Sequence, residues 1–265
     1  MPSVAVNGID LYYERTGEGR RLLYLTGSGA TLATSGLVLA PFAKHFDLVA
    51  HDQRGLGRTS IPAGPYTMAD YAADAIGLLD HLGWRSARVA GLSFGGMVAQ
   101  ELAVTHPERV ERLALLCTSP GGAGGSSYPL HELRDLPPED RRVVGTALLD
   151  TRFTPEYLAA HPGQQVLADV MAERGDAPRT SDVGRGEALQ LEARRHHDVW
   201  DRLPAISCPT LVAAGRYDGI APLTNAEAIV SRIPGAALRT YEGGHAFIAQ
   251  DRSAIPDVIE FLVTA

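Results

Sequence analysis

The sequence predicts an α/β fold built on a mostly parallel sheet, and three observations carry that prediction. Short continuous apolar runs, such as Phe46-Asp47-Leu48-Val49-Ala50 and Thr210-Leu211-Val212-Ala213-Ala214-Gly215, read as strands buried on both faces. Segments with apolar residues at helical spacing alternate with them, which is the rhythm of strand-helix-strand units. The chain has 265 residues. That length makes one large domain or two small ones, able to bury about 70 to 75% of the unfolded surface.

Taken in order, Ser3 to Ile9 and Leu11 to Thr16 are strands joined at Asn7-Gly8, a hairpin dipeptide. Arg21 to Leu25 is a buried strand closed by Thr26-Gly27-Ser28-Gly29, and a helix is expected from Thr31 to His45 before the strand at Phe46. Thr67-Met68-Ala69-Asp70 reads as a capping box opening a helix with Tyr71, Ala75, Leu78, Leu79 and Leu82 on one face, stopped by Gly83. Strand Ala87 to Ala90 leads through Gly91-Leu92-Ser93-Phe94-Gly95-Gly96 into a helix from Met97 to His106, and a strand follows at Leu113 to Leu116. The rhythm then breaks. Residues 120–203 open on Gly121-Gly122-Ala123-Gly124-Gly125 and are arginine-rich and helix-prone with no convincing strand, so they read as a helical cap inserted into a core of 1–119 and 204–265. Alternation resumes with the strand at Thr210, a helix near Leu223 to Ile233, a strand at Ala237 to Tyr241 and a last helix ending at Val263.

Composition excludes several kinds of chemistry. Net charge is -7, and no basic run exceeds two residues, so there is no electrostatic footprint for nucleic acid or an acidic lipid surface. Lys44 is the sole lysine among 24 basic residues, and it lacks the glycine loop of a Walker phosphate site. Cys117 and Cys208 build neither a disulfide scaffold nor a CxxC metal site and read as small buried hydrophobes. Gly27-Ser28-Gly29 fails as a dinucleotide fingerprint, because Leu32 stands where the third glycine belongs. No cofactor or metal is expected. The N-terminal residues have neither a basic n-region nor a long apolar segment, which makes a cytoplasmic location the expectation.

Gly91-Leu92-Ser93-Phe94-Gly95 fits the nucleophile-elbow pattern, in which a serine sits on a strained strand-to-helix turn and glycines permit close backbone approach. Its flanks, an apolar strand before and a helix after, are the setting the pattern demands; the bland alternative is a glycine-rich turn with a serine cap. An elbow predicts an acid and then a histidine downstream, each after a strand. Asp218 and His245 meet that order. Either residue alone reads as a turn or cap residue, but three in sequence at three strand ends point to acyl transfer.

These residues resemble the α/β-hydrolase fold family, and the resemblance covers nearly the whole chain outside 120–203. It rests on Leu25-Thr26-Gly27-Ser28-Gly29, Asp52-Gln53-Arg54-Gly55-Leu56-Gly57-Arg58-Thr59-Ser60, the elbow, Asp218 and His245. Gly64-Pro65-Tyr66-Thr67 and the elbow through Gln100 look most like the 3-oxoadipate enol-lactonase and cofactor-free haloperoxidase branch. The resemblance implies an eight-stranded, mostly parallel sheet flanked by helices, with Ser93 as nucleophile, His245 as base and Asp218 as its orienting acid. It also implies an oxyanion hole from the backbone N–H groups of Phe94 and Ser28. Where the family often has His-Gly this chain has Thr26-Gly27, which alters the bonds bracing that loop and leaves the donor register between Ser28 and Gly29.

A serine at the elbow sets aside the dehalogenase and epoxide-hydrolase branches, which use aspartate there. The expected activity is hydrolysis of a small carboxylic ester or lactone. The alternatives are carbon-carbon bond hydrolysis of a diketone or perhydrolysis by the same triad, proton abstraction by His245 without a covalent step, or a ligand-binding protein without turnover. Phe94, Tyr128, Ile220 and Phe247 flank the triad and are candidates for an apolar pocket or for core. Were the substrate an enol-lactone of a dicarboxylic acid, Arg134, Arg141, Arg142 and Arg152 would be the candidates to pair its carboxylate. His196-His197 reads as a solvated or capping pair, Glu242 as a surface residue and Asp52-Gln53-Arg54-Gly55 as a structural turn. A small-molecule substrate is the one partner expected, and the sequence is silent on oligomeric state.

Overall fold

In the computed structural model, which describes residues 2–176 and 180–264, β1 (Ser3–Val6) and β2 (Ile9–Thr16) form an antiparallel hairpin. Its turn places Asn7 and Gly8 at φ 48 and 77, the consecutive left-handed residues that a two-residue hairpin loop requires. β3 (Arg20–Leu25), β4 (Phe46–His51), β5 (Ala87–Leu92), β6 (Val110–Leu116), β7 (Thr210–Gly215) and β8 (Ala237–Tyr241) run parallel, while β2 joins β4 antiparallel. One eight-stranded sheet results, in the order β1-β2-β4-β3-β5-β6-β7-β8. Since β3 has β4 on one side and β5 on the other, the connections diverge there and leave a crevice beyond its carboxyl end.

Helices cover both faces. α1 (Leu32–Ala43) and α10 (Ala254–Val263) lie on one, burying Phe42, Phe46, Val258 and Leu262. α2 (Met68–His81), α3 (Phe94–Thr105) and α8 (Leu223–Arg232) lie on the other, over Leu25, Val49, Val89 and Val212. The capping box forms as read: Thr67 Oγ1 accepts from the Asp70 amide at 3.2 Å, and the Asp70 carboxylate accepts from the Thr67 amide at 2.8 Å. Two boundaries differ. α3 begins at Phe94 rather than Met97, because the elbow turns directly into helix, and a short helix α9 (Phe247–Gln250), not distinguished in the sequence, precedes the last one. A single turn leaves too few residues to display a period.

Between β6 and β7 the described residues hold α4 (Pro138–Leu149), α5 (Pro155–Ala160), α6 (Pro162–Asp176) and α7 (Ser181–Arg195), and no strand. The two ends of this insertion meet where Val199 donates to the Pro120 carbonyl at 3.0 Å. It carries a small core of its own, Leu149, Phe153, Leu158 and Ala168. α7 lies on the turn after β4 so closely that a side chain at Gly186 would strike the Gly55 carbonyl. That turn is fixed from beneath by Arg54 and Asp74, a bidentate pair with both contacts at 2.7 Å and both residues buried. No helix among the described residues is long and apolar enough to cross a membrane.

Two buried histidines set a pH limit on this fold. Burial pulls the His51 pKa down to about 4 and the His197 pKa to about 3, so both stay neutral where the unfolded chain already takes protons. Below the ordinary histidine value the unfolded state binds more protons, and stability falls by up to about 1.4 kcal/mol per pH unit for each. Urea denaturation between pH 7 and 4.5 should therefore show a midpoint falling from about pH 6.5 downward, and His51→Phe should flatten the slope.

Candidate active site

The elbow is built by steric exclusion. Ser93 sits between β5 and α3 at φ 53 and ψ -113, a region costing a non-glycine residue on the order of 1 to 3 kcal/mol. Its N–H donates to the Leu116 carbonyl at 2.8 Å, and Thr118 Oγ1 donates to the Ser93 carbonyl at 2.8 Å. Gly91 and Gly95 are required by crowding: a Cβ on the first would meet the Gly95 carbonyl, and one on the second would meet the carbonyls of Leu25 and Thr26. The serine hydroxyl is thus presented over the end of β3.

Asp218 and His245 arrive from the next two strand ends. After β7 the chain turns so that Asp218 Oδ1 accepts the amides of Ile220 and Ala221, each at 2.8 Å, leaving Oδ2 for His245 Nδ1 at 2.8 Å. After β8, Gly244 donates its amide to Gln250 Oε1 at 2.8 Å and His245 donates its own to the Leu149 carbonyl at 2.6 Å. These bonds place His245 Nε2 2.9 Å from Ser93 Oγ. With Asp218 fully buried and accepting, Nδ1 carries the ring proton and Nε2 accepts from the serine hydroxyl. The side chains of Ser93, His245 and Asp218 therefore form one hydrogen-bonded chain.

Beside it runs the loop after β3. A Cβ on Gly27 would lie 3.6 Å from Ser93 Cβ, so this backbone is in contact with the serine. The Gly29 amide donates to Gln190 Oε1 at 2.8 Å, from α7. Among the described residues the amides of Ser28 and Phe94 have no acceptor, the latter because the first N–H groups of a helix have no intrahelical carbonyl. Thr26 is braced by Gln53 Nε2, which donates to its carbonyl at 2.7 Å. Gln53 stands in the turn read as structural, and its reach to this loop was not visible in the sequence.

Several candidates fall elsewhere. Phe247 is completely buried, stacked on Tyr241 at 5.1 Å beneath the sheet, so it is core and not pocket. Phe94 is likewise core, edge-on to Tyr71 at 4.9 Å, so it offers the site its amide alone. Tyr128 and Ile220 do adjoin the acid: the Tyr128 amide donates to the Ile220 carbonyl at 2.7 Å, one residue pair away from Asp218. His197 is buried rather than solvated, whereas His196 is exposed against Glu192 at 2.8 Å. Glu242 is exposed and paired with Arg216, as expected of a surface residue. Arg152 is committed to Asp150, Arg142 to Asp169, and Arg134 reaches the Gly184 carbonyl.

Cys117, Asp218 and His245 lie within 4.8 Å of one another, a donor set with metal-binding chemistry. Both Asp218 oxygens already accept hydrogen bonds, and burial pushes the Cys117 thiol well up, so the trio fits the relay better than an ion.

A cavity of about 330 Å³ is lined by Met97, one turn beyond Ser93, by Ser119 and Ser126, and by Arg194 and His197 from the insertion, while Ser93, Asp218 and His245 are not in its wall. Tyr128, Ile220, Arg134, Arg141, Arg142 and Arg152 are not in its wall. Sequence reasoning passed over Arg194 and Gln190 because nothing in the spacing of α7 distinguishes them from their polar neighbours.

Comparison with known proteins gives the same fold. The profile of a family described as alpha/beta hydrolase fold matches residues 22–251. The 3-oxoadipate enol-lactonase 2 of Acinetobacter baylyi is 26% identical over 261 residues, covering 97% of this chain and 94% of that protein. The 2-hydroxymuconate semialdehyde hydrolase of Pseudomonas putida is 30% identical over 250 residues, covering 86% and 82%. The crystal structure of the enol-lactonase from Burkholderia xenovorans superposes with a TM-score of 0.80 at 26% identity, covering 99% of this chain and all of that one.

The crowding at Gly95 has a measurable consequence. Gly95→Ala must push apart the elbow and the end of β3, and should lower stability by at least about 2 kcal/mol in urea denaturation.

Proposed function

The chain belongs to the α/β-hydrolase fold family, and from that premise we propose that it is a serine hydrolase cleaving a small carboxylic ester or lactone through an acyl-enzyme on Ser93. One observation carries the reading: a serine on a strained elbow, 2.9 Å from an imidazole whose other nitrogen is 2.8 Å from a buried carboxylate. That is the arrangement in which a hydroxyl of ordinary acidity becomes a nucleophile.

The steps follow from the atoms in place. Ser93 Oγ attacks the acyl carbon while its proton passes to His245 Nε2, and Asp218 stabilises the imidazolium that forms. The amides of Ser28 and Phe94 meet the oxyanion, the Gly29 amide being taken by Gln190. One such donor is worth about 3 to 4 kcal/mol of barrier. Nε2 then returns the proton to the leaving oxygen, leaving Ser93 acylated. Water repeats the sequence, giving its proton to Nε2, releasing the acid and restoring the serine. The chemistry asks for no cofactor. Residues 120–203 act in this reading as a cap that shapes the substrate cavity.

A second reading, cleavage of a carbon-carbon bond in a diketone by the same triad, draws support from the similarity to a 2-hydroxymuconate semialdehyde hydrolase. Kinetic comparison of lactones, open-chain esters and 1,3-diketones of matched size separates the two, and diketone turnover exceeding ester turnover would reverse the order.

A fluorophosphonate probe should label the wild type and leave Ser93→Ala unlabelled; equal labelling of both would remove Ser93 as nucleophile. Asp218→Asn should keep the fold but lower kcat by about 10⁴, since the imidazole then adopts the wrong tautomer.

A further inference from the structure

Arg194 is a buried charged group in the cavity wall that the relay leaves unused. It is 5% exposed. Its Nη1 donates to the Tyr128 carbonyl at 2.7 Å, while Nε and Nη2 have no acceptor among the described residues. A guanidinium held out of water with two unsatisfied N–H groups costs several kcal/mol unless something accepts from them. Burial lowers its pKa only to about 10, and the charge is retained at neutral pH.

The free side of that guanidinium is informative because the same chain uses it three times. Arg15, Arg54 and Arg152 each clasp an aspartate, Asp47, Asp74 and Asp150 respectively, through Nε and Nη2, at 2.7 to 2.9 Å. These two nitrogens form the flat fork that matches both oxygens of a carboxylate. In Arg194 the fork carries no carboxylate.

Its surroundings favour an anion from outside. His197 is buried and held neutral, Ser119 and Ser126 supply hydroxyls, and Met97 supplies an apolar wall. His131 is half-buried, and Glu132 and Arg195, of opposite charge, are the exposed charged members of the lining. Asp218 is close enough to act on Arg194 electrostatically, and a chain of contacts links the two: Arg194 to the Tyr128 carbonyl, the Tyr128 amide to Ile220, the Ile220 amide to Asp218. The cavity wall that holds Arg194 is thus tied to the loop that carries Asp218.

We propose that the Nε and Nη2 fork of Arg194 binds a carboxylate on the substrate, so that the compounds hydrolysed are half-esters or lactones bearing a free acid group. This rests on the serine-hydrolase reading for the word substrate, though not for the binding site.

The test uses two activated esters of equal acyl length, 4-nitrophenyl hydrogen glutarate and 4-nitrophenyl pentanoate. The wild type should favour the glutarate in kcat/KM, and Arg194→Gln should lower the glutarate-to-pentanoate ratio by about 30-fold or more, through KM, as expected for a lost charge-assisted fork. Arg194→Lys, which keeps the charge without the fork, should recover part of that ratio and serves if the glutamine variant fails to fold. No preference in the wild type, or an equal loss on both esters, overturns the proposal; equal loss would mean that the guanidinium serves Asp218. Calorimetry of glutarate, with glutaramide as the neutral control, on Ser93→Ala and on Ser93→Ala/Arg194→Gln reads binding without turnover. Glutarate held by the first and lost by the second supports the site even if neither ester is hydrolysed, in which case the hydrolase reading alone falls. An active esterase indifferent to the acid group leaves the hydrolase reading standing and removes the carboxylate site.

Discussion

Everything at the candidate site depends on how closely two backbones approach where β5 turns into α3. Gly91 and Gly95 let the turn pack on itself and on the end of β3, and only in that approach is Ser93 held at a left-handed conformation. The strain is repaid by the bond from Ser93 to the Leu116 carbonyl and by Thr118, both anchored in the neighbouring strand. The sheet thus acts as a vice. Because β3, β5 and β6 are buried and paired side by side, a displacement of the serine would have to move a core strand with it.

Around this turn, each polar group is fixed by a second one. Asp218 is oriented by two amides of its own loop, His245 by the strand end and by Leu149 of the insertion, and Gly244 by Gln250. Gln250 in turn donates to Asp150, whose carboxylate Arg152 holds below the usual range. The insertion is therefore part of the frame that presents the histidine.

The parallel strands were legible because strands buried on both faces leave continuous apolar runs, and the elbow because its glycines answer a steric demand local in sequence. Asp218 and His245 were legible from chain order and from their places after strands. Phe247 was not: an aromatic two residues after a histidine looks the same whether the next turn of helix faces a pocket or dives beneath the sheet. Arg194 was hidden for a different reason. The chain is rich in arginines, most of them paired on the surface, and what sets this one apart is an acceptor that is missing in three dimensions. His197 likewise reads as a polar neighbour of His196 until the fold buries it.

The contact between Gln190 and the Gly29 amide ties the roof of the chamber to its floor. Gly186 against Gly55, four residues earlier on the same face of α7, adds a second rivet. Moving that helix would break the Gln190 bond and release the Gly29 amide, the neighbour of Ser28 in the loop beside Ser93, so the setting of that loop depends on α7.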